Sequence, residues 1–121
     1  MTSPSLSVII PVLDGGAPFA VCLAALDRST FRDFELIVVD DGCVDRSVER
    51  ARAAGARVIA TSGREGPGAA RNAGAAVASA STLLFLDADC EVAGETLRQI
   101  VEFAAHMKVP TLEDLAPSLA S

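Results

Sequence analysis

Two aspartates, Asp87 and Asp89, follow directly on the apolar run TLLFL at residues 82–86. If the strand conformation continues through them, their side chains point to one side, about 6.5 Å apart. Two carboxylates at that spacing repel each other unless a cation or hydrogen-bond donors lie between them. A hard divalent cation such as Mg²⁺ or Mn²⁺ relieves the repulsion, and magnesium usually combines one or two carboxylates with substrate phosphates. The pair therefore predicts a metal and phosphate site at a strand end.

Acidic residues also follow two earlier apolar runs. Asp14 comes after SVIIPVL at residues 7–13, and Asp40 and Asp41 come after FELIVV at residues 34–39. Taken alone, Asp14 is best explained as a turn residue, because aspartate is common in turns. In open α/β sheets, however, ligands bind outside the carboxyl ends of the strands. Acids at three strand ends together predict one shared site.

A glycine-rich segment, GREGPGAARNAG, occupies residues 63–74. Its glycines allow close backbone approach, and it opens a predicted helix whose N-terminus favours anions. Arg64 in the loop and Arg71 one turn into the helix could each contact a phosphate or a carboxylate. The alternative for Arg71 is an ordinary solvated arginine. A dinucleotide-binding fingerprint is incomplete, because Arg71 occupies the third glycine position and the loop follows the third strand.

Strand-like and helix-like patterns alternate along the chain. Short apolar runs predict strands near residues 7–13, 34–39, 57–61 and 82–86. Helical spacing and turn residues predict helices near residues 18–28, 45–54, 67–80 and 95–107. Pro11 is expected at an edge or near a strand end, since it cannot donate a ladder hydrogen bond. The alternation predicts an α/β fold, a Rossmann-like open and mostly parallel sheet of about four strands with helices on both faces.

The composition limits the function classes. The chain has 121 residues, 50% of them hydrophobic, and a net charge of −6. This is the composition of a globular domain, and its negative charge argues against nucleic-acid binding. The three cysteines form no CxxC pair, which favours reduced thiols over a disulfide framework or a zinc site. The sequence has neither a signal-peptide pattern nor an apolar run of about 20 residues. A cytoplasmic location is therefore expected, with attachment to the inner membrane face through a partner or a further C-terminal part as an alternative.

The motifs in this order resemble the N-terminal part of family-2 glycosyltransferases, which have the GT-A fold. The resemblance covers residues 7–107 and rests on four blocks, SVIIPVLD, FELIVVDDGCVDRS, GPGAARNAGAAVAS and TLLFLDADCEV. It implies transfer of a sugar from a UDP- or GDP-sugar donor to an acceptor hydroxyl. Inversion at the anomeric carbon and help from Mg²⁺ or Mn²⁺ are implied as well.

The resemblance also implies roles for matching residues. Pro11 and Asp14 would lie beside the base and the ribose, and Asp41 would hydrogen-bond the base. Arg71 would approach the base or the diphosphate. Each of these roles is an expectation carried over from the family.

Asp87 and Asp89 match the DxD motif of the family. The resemblance places Asp87 near the ribose and makes Asp89 a ligand of the metal that neutralises the leaving diphosphate. One departure is the turn after Gly42, where Cys43 and Val44 replace the usual Ser-Thr and reduce its polar groups.

The predicted organisation is a nucleotide-sugar-binding part at residues 1–107 and a poorly ordered tail at residues 108–121. Family domains continue beyond the DxD strand and supply a carboxylate general base there. Glu113 and Asp114 lie in the tail, but nothing assigns either one as the base. The sequence therefore predicts a donor-binding half domain of a glycosyltransferase, a truncated or split enzyme that lacks its catalytic base. The oligomeric state is left open.

Three alternatives belong to other classes. A phosphoacceptor receiver domain has an acidic pair like that in IVVDDG, but after its first strand rather than its second. A haloacid-dehalogenase-type phosphatase has an Asp-x-Asp motif, but near the start of its chain. A non-catalytic nucleotide-sugar binder shares the predicted site and differs only in turnover.

Overall fold

The computed structural model of the protein describes residues 3–107, and its strands and helices alternate as the sequence predicts. In chain order the elements are β1 Leu6–Val12, α1 Gly16–Asp27, β2 Phe34–Asp40, α2 Ser47–Ala53, β3 Arg57–Ala60, α3 Pro67–Val77, β4 Leu83–Phe85 and α4 Thr96–His106. The tail predicted at residues 108–121 lies outside the described residues. No helix within residues 3–107 is long and apolar enough to cross a membrane.

The four strands of the described part form one parallel sheet in the order β3-β2-β1-β4. β1 lies inside the sheet and pairs with β2 along its whole length, from Leu6 opposite Phe34 to Val12 opposite Asp40. The predicted Rossmann-like α/β class is therefore confirmed. A receiver domain of the flavodoxin-like type has the order 2-1-3, with its first strand between the second and the third, whereas here β3 pairs with β2, so the observed order excludes that alternative.

Pro11 is the penultimate residue of β1, an interior strand. The amide of Ser7 donates to Thr82 and the carbonyl of Ile9 accepts from Leu86, so residues 7 and 9 direct their backbone groups toward β4. Pro11 faces the same side, but β4 has already ended at Phe85. The missing N–H group therefore costs the sheet no hydrogen bond, so a proline can occupy this position of an interior strand.

Helices cover both faces of the sheet, as predicted. The larger core joins alternate β1 residues to α1, α2 and α4, and includes the fully buried side chains of Phe19 and Leu97. The smaller core joins Ile9, Ile37 and Val39 to α3 through Ala70. Because all strands run in parallel between these layers, their carboxyl ends and the loops that follow them meet at one edge of the sheet.

A polar cluster around the buried Ser7 hydroxyl fastens the segment before β4 to the sheet. Ser7, with a fully buried side chain, donates its hydroxyl to Glu35 and accepts the Ala80 amide at 3.1 Å. Glu35 also accepts from the amide and hydroxyl of Ser79. Burial disfavours ionisation of Glu35, but these hydrogen bonds outweigh it and lower the pKa of the carboxyl. The cluster thereby sets where β4 begins, and with it the position of Asp87.

Gly74 allows α3 to approach the sheet closely. A Cβ atom at this position would lie 2.4 Å from Cγ2 of Ile9 and 3.2 Å from Cγ2 of Val39. Both neighbours are buried β-branched residues of the sheet, with little freedom to move aside. The small residues of α3 therefore pack close to the sheet at this point.

Gly74→Ala should therefore lower the free energy of unfolding by about 1–3 kcal/mol through overpacking. Gly68→Ala in the same helix is the matched control, because a Cβ there meets nothing within 4 Å. The control should be neutral or stabilising by up to about 1 kcal/mol, since alanine favours helix over glycine. Urea unfolding of both variants measures the difference, and equal stability of the two would contradict the close approach of α3.

Candidate nucleotide site

A cleft of about 300 Å³ lies at the carboxyl ends of the strands, where the sequence analysis expected the site. Its walls come from the end of β1, the end of β2, the loop before α3, α3 itself and the segment after β4. The lining residues are Pro11, Val12, Leu13, Asp41, Arg64, Gly66, Pro67, Arg71 and Asp87. Four predicted site residues are thus brought together, whereas Asp14 and Asp89 do not belong to this lining.

Asp41 holds the loop between β3 and α3. Its carboxylate accepts the Thr61 hydroxyl at 2.7 Å, the Glu65 amide at 2.9 Å and the Gly66 amide at 3.0 Å. Its carbonyl accepts the Arg64 amide at 2.6 Å. The residue is only 5% exposed. Hydrogen bonds, first from Thr61 and then from Glu65 and Gly66, lower the pKa of the carboxyl, as does the nearby positive charge of Arg64.

The sequence analysis did not identify Thr61, Glu65 or Gly66 as partners of Asp41. They lie 20 to 25 residues further along the chain, so no local spacing rule connects them to it. The available signal was the glycine-rich loop itself, which indicated close backbone approach without saying to what.

Arg64 adopts a left-handed backbone conformation, with φ of 52°. For a residue with a Cβ atom this conformation costs about 1–2 kcal/mol. Gly42 lies against the same turn, since a Cβ added to Gly42 would be 3.4 Å from the Arg64 nitrogen and 3.5 Å from Cα of Gly63. The Asp-Asp-Gly segment after β2 and the glycine-rich loop after β3 therefore pack as one unit.

Arg71 and Asp87 face each other across the cleft. Nη2 of Arg71 lies 3.6 Å from Oδ1 of Asp87, with the two side chains 43% and 77% exposed. An ion pair this exposed stabilises the fold by at most about 1 kcal/mol. The pair leaves much of both groups open to a ligand. The sequence analysis identified both residues but not their contact.

Asp89 does not continue a strand, contrary to the conditional expectation for the acid pair. β4 ends at Phe85, and the Cys90 amide donates to the Asp87 carbonyl at 3.0 Å, which closes a turn through Ala88 and Asp89. In a turn, side chains two residues apart do not share one side of a pleated strand, so the 6.5 Å estimate for the strand does not apply. Both side chains are nevertheless exposed.

The Cys22 thiol packs under this turn. Its Sγ atom lies 3.9 Å from the Asp87 carbonyl oxygen. Burial above all, and then the nearby Cys90 and Asp89, raise the pKa of Cys22 to about 11. Cys22 is therefore a protonated packing residue at neutral pH.

Asp14 connects the loop after β1 to the loop after β2. Its Oδ1 accepts the Val44 amide at 2.7 Å and the Asp45 amide at 3.1 Å, and its own amide lies 3.3 Å from Sγ of Cys43. Asp45 in turn accepts the Gly16 amide at 3.1 Å. These bonds fix the loops beside the cleft, while the predicted contact of Asp14 with a ribose stays a prediction.

Asp40, the other half of the acidic pair, shapes the same turn. Burial disfavours its ionisation, but hydrogen bonds from the amides of Cys43 and Gly42 outweigh that effect and lower the pKa of the carboxyl. The two aspartates of the pair thus have separate tasks. Asp40 folds its own turn, and Asp41 holds the loop that follows β3.

Two sets of acidic groups differ in their fit to a hard divalent cation. Asp14, Cys43 and Asp45 place their ligand atoms within 4.8 Å of one another. Their carboxylates already accept amides, and burial is the main cause that raises the pKa of Cys43 to about 11, so this group does not suit Mg²⁺ or Mn²⁺. Asp87 and Asp89 offer exposed carboxylate oxygens, which are suitable ligands for these ions.

A parallel α/β sheet with acidic and basic side chains at its carboxyl edge defines a Rossmann-like class of proteins, which bind ligands at that edge. The profile described as Glycosyl transferase family 2 matches residues 7–109 of the sequence. The chain belongs to this family. The match confirms the resemblance and excludes the receiver and phosphatase alternatives.

Individual relatives agree with the family assignment. The uncharacterised glycosyltransferase YibD of Escherichia coli is 36% identical over 91 residues, which cover 72% of this chain and 26% of that protein. The structure of Staphylococcus aureus TarS 1–349 in complex with UDP-GlcNAc is 26% identical, with a TM-score of 0.75, and the match covers 88% of this chain and 37% of that one.

A second solved structure is glucosyl-3-phosphoglycerate synthase from Mycobacterium tuberculosis in complex with Mn²⁺, UDP and glucosyl-3-phosphoglycerate. It is 25% identical to this chain, with a TM-score of 0.72, and the match covers 87% of this chain and 41% of that one. Among the first curated relatives, the chain spans between 26% and 43% of their length.

Asp41→Asn should lower the melting temperature at neutral pH, because the amide NH₂ group cannot accept the bonds that one carboxylate oxygen accepts. The folded-state pKa of Asp41 lies below its ordinary value of 3.8, so its stabilisation is complete above that pH. It is lost as the pH falls below 3.8, through the folded-state pKa, and the difference between wild type and variant should narrow there.

Thermal unfolding followed by circular dichroism over this pH range measures the effect. Asp27→Asn is the matched control, since that side chain is 83% exposed. The control should follow the wild type at every pH. An Asp41→Asn variant as stable as wild type at neutral pH would contradict the holding role of the carboxylate.

Proposed function

We propose that this chain binds the nucleotide-sugar donor of a family-2 glycosyltransferase in the cleft at the carboxyl ends of its strands. The observation that carries the proposal is the convergence of Asp41, Arg71 and Asp87, from three separate segments, on one cleft. Residues 1–107 form the donor-binding part. The reaction of the whole enzyme is transfer of the sugar to an acceptor hydroxyl with inversion.

The donor class is a UDP- or GDP-sugar. The complexes of related proteins with UDP-GlcNAc and with UDP support the uridine form. Pro11, Leu13 and Pro67 give the cleft an apolar wall that suits the flat faces of a base and a ribose. The cleft volume of about 300 Å³ is at the lower end of the range for small-molecule sites, so the cleft holds only part of such a donor.

The charges at the other side of the cleft suit a diphosphate with a divalent cation. Asp89 is the proposed metal ligand, and Asp87 lies beside it on the turn that follows β4. When bound, Mg²⁺ or Mn²⁺ neutralises charge on the leaving nucleoside diphosphate. Arg71 offsets the charge of Asp87 and is still 43% exposed, so its guanidinium can also donate to a phosphate oxygen. The presence of Mn²⁺ in a related structure supports this choice of ions.

Asp41 and Asp14 take supporting roles in this proposal. Asp41 holds the glycine-rich loop against the cleft, and any contact with the base uses the lone pairs that the loop leaves unused. Asp14 keeps the loop at residues 43–45 beside the ribose end of the cleft.

UDP with Mn²⁺ should raise the melting temperature of the 121-residue chain. A ligand that binds only the folded state at about 100 times its Kd stabilises that state by about 2.7 kcal/mol. Asp89→Ala should remove the part of the shift that depends on Mn²⁺ and keep the part that UDP gives alone. Differential scanning fluorimetry with UDP alone, Mn²⁺ alone and both together separates these contributions.

Asp27→Ala is the matched control, an aspartate whose side chain is 83% exposed and makes an ion pair with Arg32 away from the cleft. It should keep the full shift. A wild-type chain that shows no shift with any nucleoside diphosphate, with or without metal, would refute the donor site. An undiminished metal-dependent shift in Asp89→Ala would refute the role of that residue alone.

A further inference from the structure

The turn that carries Asp87 and Asp89 brings together two cysteines that are far apart in the sequence. Cys22 belongs to α1 and is fully buried, whereas Cys90 follows the turn and is half-buried. The Cys90 amide and the Cys22 Sγ atom both contact the carbonyl oxygen of Asp87, at 3.0 Å and 3.9 Å. Because the two residues meet at one oxygen atom, they are near neighbours in the fold.

Two further observations agree that these thiols are close. Cys22 is a member of the larger core, and Cys90 packs against that core. The pKa of Cys22 is raised by burial first and by Cys90 second, and the second effect requires the two sulfur atoms to be near each other. Both cysteines are free thiols, so neither is committed to another covalent bond.

Cys43, the third cysteine, lies apart from this pair. Its Sγ atom is 3.4 Å from the carbonyl oxygen of Val12 and 3.3 Å from the Asp14 amide nitrogen. These contacts hold it in the loop after β2, and β1 lies between β2 and β4 in the sheet. The chain therefore has one pair of neighbouring thiols and one separate thiol, which is a built-in control.

We propose that Cys22 and Cys90 form a reversible disulfide bond in the presence of a disulfide oxidant such as oxidised glutathione, and that this bond weakens the binding of a divalent cation at the turn. The bond itself follows from the positions of the two thiols. Its effect on the cation rests on the proposed function, in which Asp89 is the metal ligand.

The oxidation is an exchange in two steps, in which oxidised glutathione takes up two electrons. Cys90, the more accessible thiol, loses its proton and attacks one sulfur of oxidised glutathione, which releases one glutathione. Cys22 then loses its proton and attacks Sγ of Cys90, which releases the second glutathione and leaves the protein disulfide. Each released glutathione takes up one of the two protons. The second step is the slow one, because Cys22 is buried and protonated at neutral pH.

The bond changes the support behind the metal-binding turn. In the reduced protein the Cys22 sulfur lies against the Asp87 carbonyl oxygen. In the disulfide that sulfur is about 2.05 Å from Sγ of Cys90, so it no longer donates to this oxygen, and Cys90 is tied to α1. Asp89 directly precedes Cys90, and a metal ligand acts within about 0.5 Å of its productive position. Changes behind a metal ligand lower metal affinity by about 10–100-fold.

Peptide mapping of the 121-residue chain after incubation with oxidised glutathione tests the bond. Free thiols are alkylated and the chain is cut with trypsin, which puts the three cysteines into separate peptides, residues 1–28, 33–46 and 72–98. The first and third peptides should be joined within one chain, with the loss of two hydrogens, and dithiothreitol should separate them. The second peptide, with Cys43, should be alkylated.

Isothermal titration of the reduced and the oxidised chain with UDP, with and without Mn²⁺, tests the effect on the cation. Oxidation should lower the affinity measured with Mn²⁺ by about tenfold or more and leave that for UDP alone unchanged. Cys90→Ser should give the same affinity before and after the oxidant. Cys43→Ser is the matched control, and oxidation should weaken its Mn²⁺-dependent binding by the same factor as in wild type. Cys22→Ala is a second test of the pair, and thermal unfolding confirms that each variant is folded.

The outcomes separate the bond from its effect. Three alkylated cysteines, a glutathione that stays on Cys90, or a bond that involves Cys43 or a second chain would each overturn the inference. A Cys22–Cys90 bond with unchanged Mn²⁺-dependent affinity would overturn the effect on the cation. A reduced chain that binds no UDP refutes the donor site and the effect together, whereas the peptide map still decides whether the bond forms.

Discussion

The carboxylate of Asp41 is the interaction on which the arrangement of the cleft depends. It accepts three hydrogen bonds from a loop that begins 20 residues further along the chain. The loop has a strained arginine and two glycines, and such a segment has many other conformations open to it. A buried carboxylate has a strong requirement for donors, because an unpaired charge in that position is costly. Satisfying that requirement selects one loop conformation, and the start of α3 follows from it.

The local charge of the cleft differs from that of the whole chain. The net charge of −6 repels a nucleoside diphosphate at long range. Within the cleft, the positive charges of Arg64 and Arg71 offset the negative charges of Asp41 and Asp87. The Asp41 carboxylate also already accepts hydrogen bonds from amides of the protein. The balance near a ligand is thus close to neutral, and the divalent cation proposed at the turn after β4 would make it favourable for an anion.

The proposed donor site lies at the edge of the sheet where acidic residues collect. The acids after β1, β2 and β4 share one edge, as a parallel sheet requires. Their tasks nevertheless differ. Asp14 and Asp40 organise loops, Asp41 holds the loop after β3, and Asp87 remains exposed beside Arg71. The same residue type at equivalent strand ends serves as structural support or remains exposed in the cleft, and hydrogen-bond partners decide which.

The sequence by itself determined the element order, the parallel sheet, the two-sided covering of helices and the edge at which the site lies. These features follow from local information, since apolar periodicity and turn residues act over a few positions. It also determined the family, through four blocks in the right order.

The tertiary structure decided that Asp41 pairs with Thr61, that Arg71 faces Asp87, and that Asp89 lies in a turn instead of a strand. These outcomes depend on donors and acceptors that are 16 or more residues apart, or on how far β4 pairs with β1. Partners at such separations meet only when the sheet assembles, because no local rule of spacing brings them together.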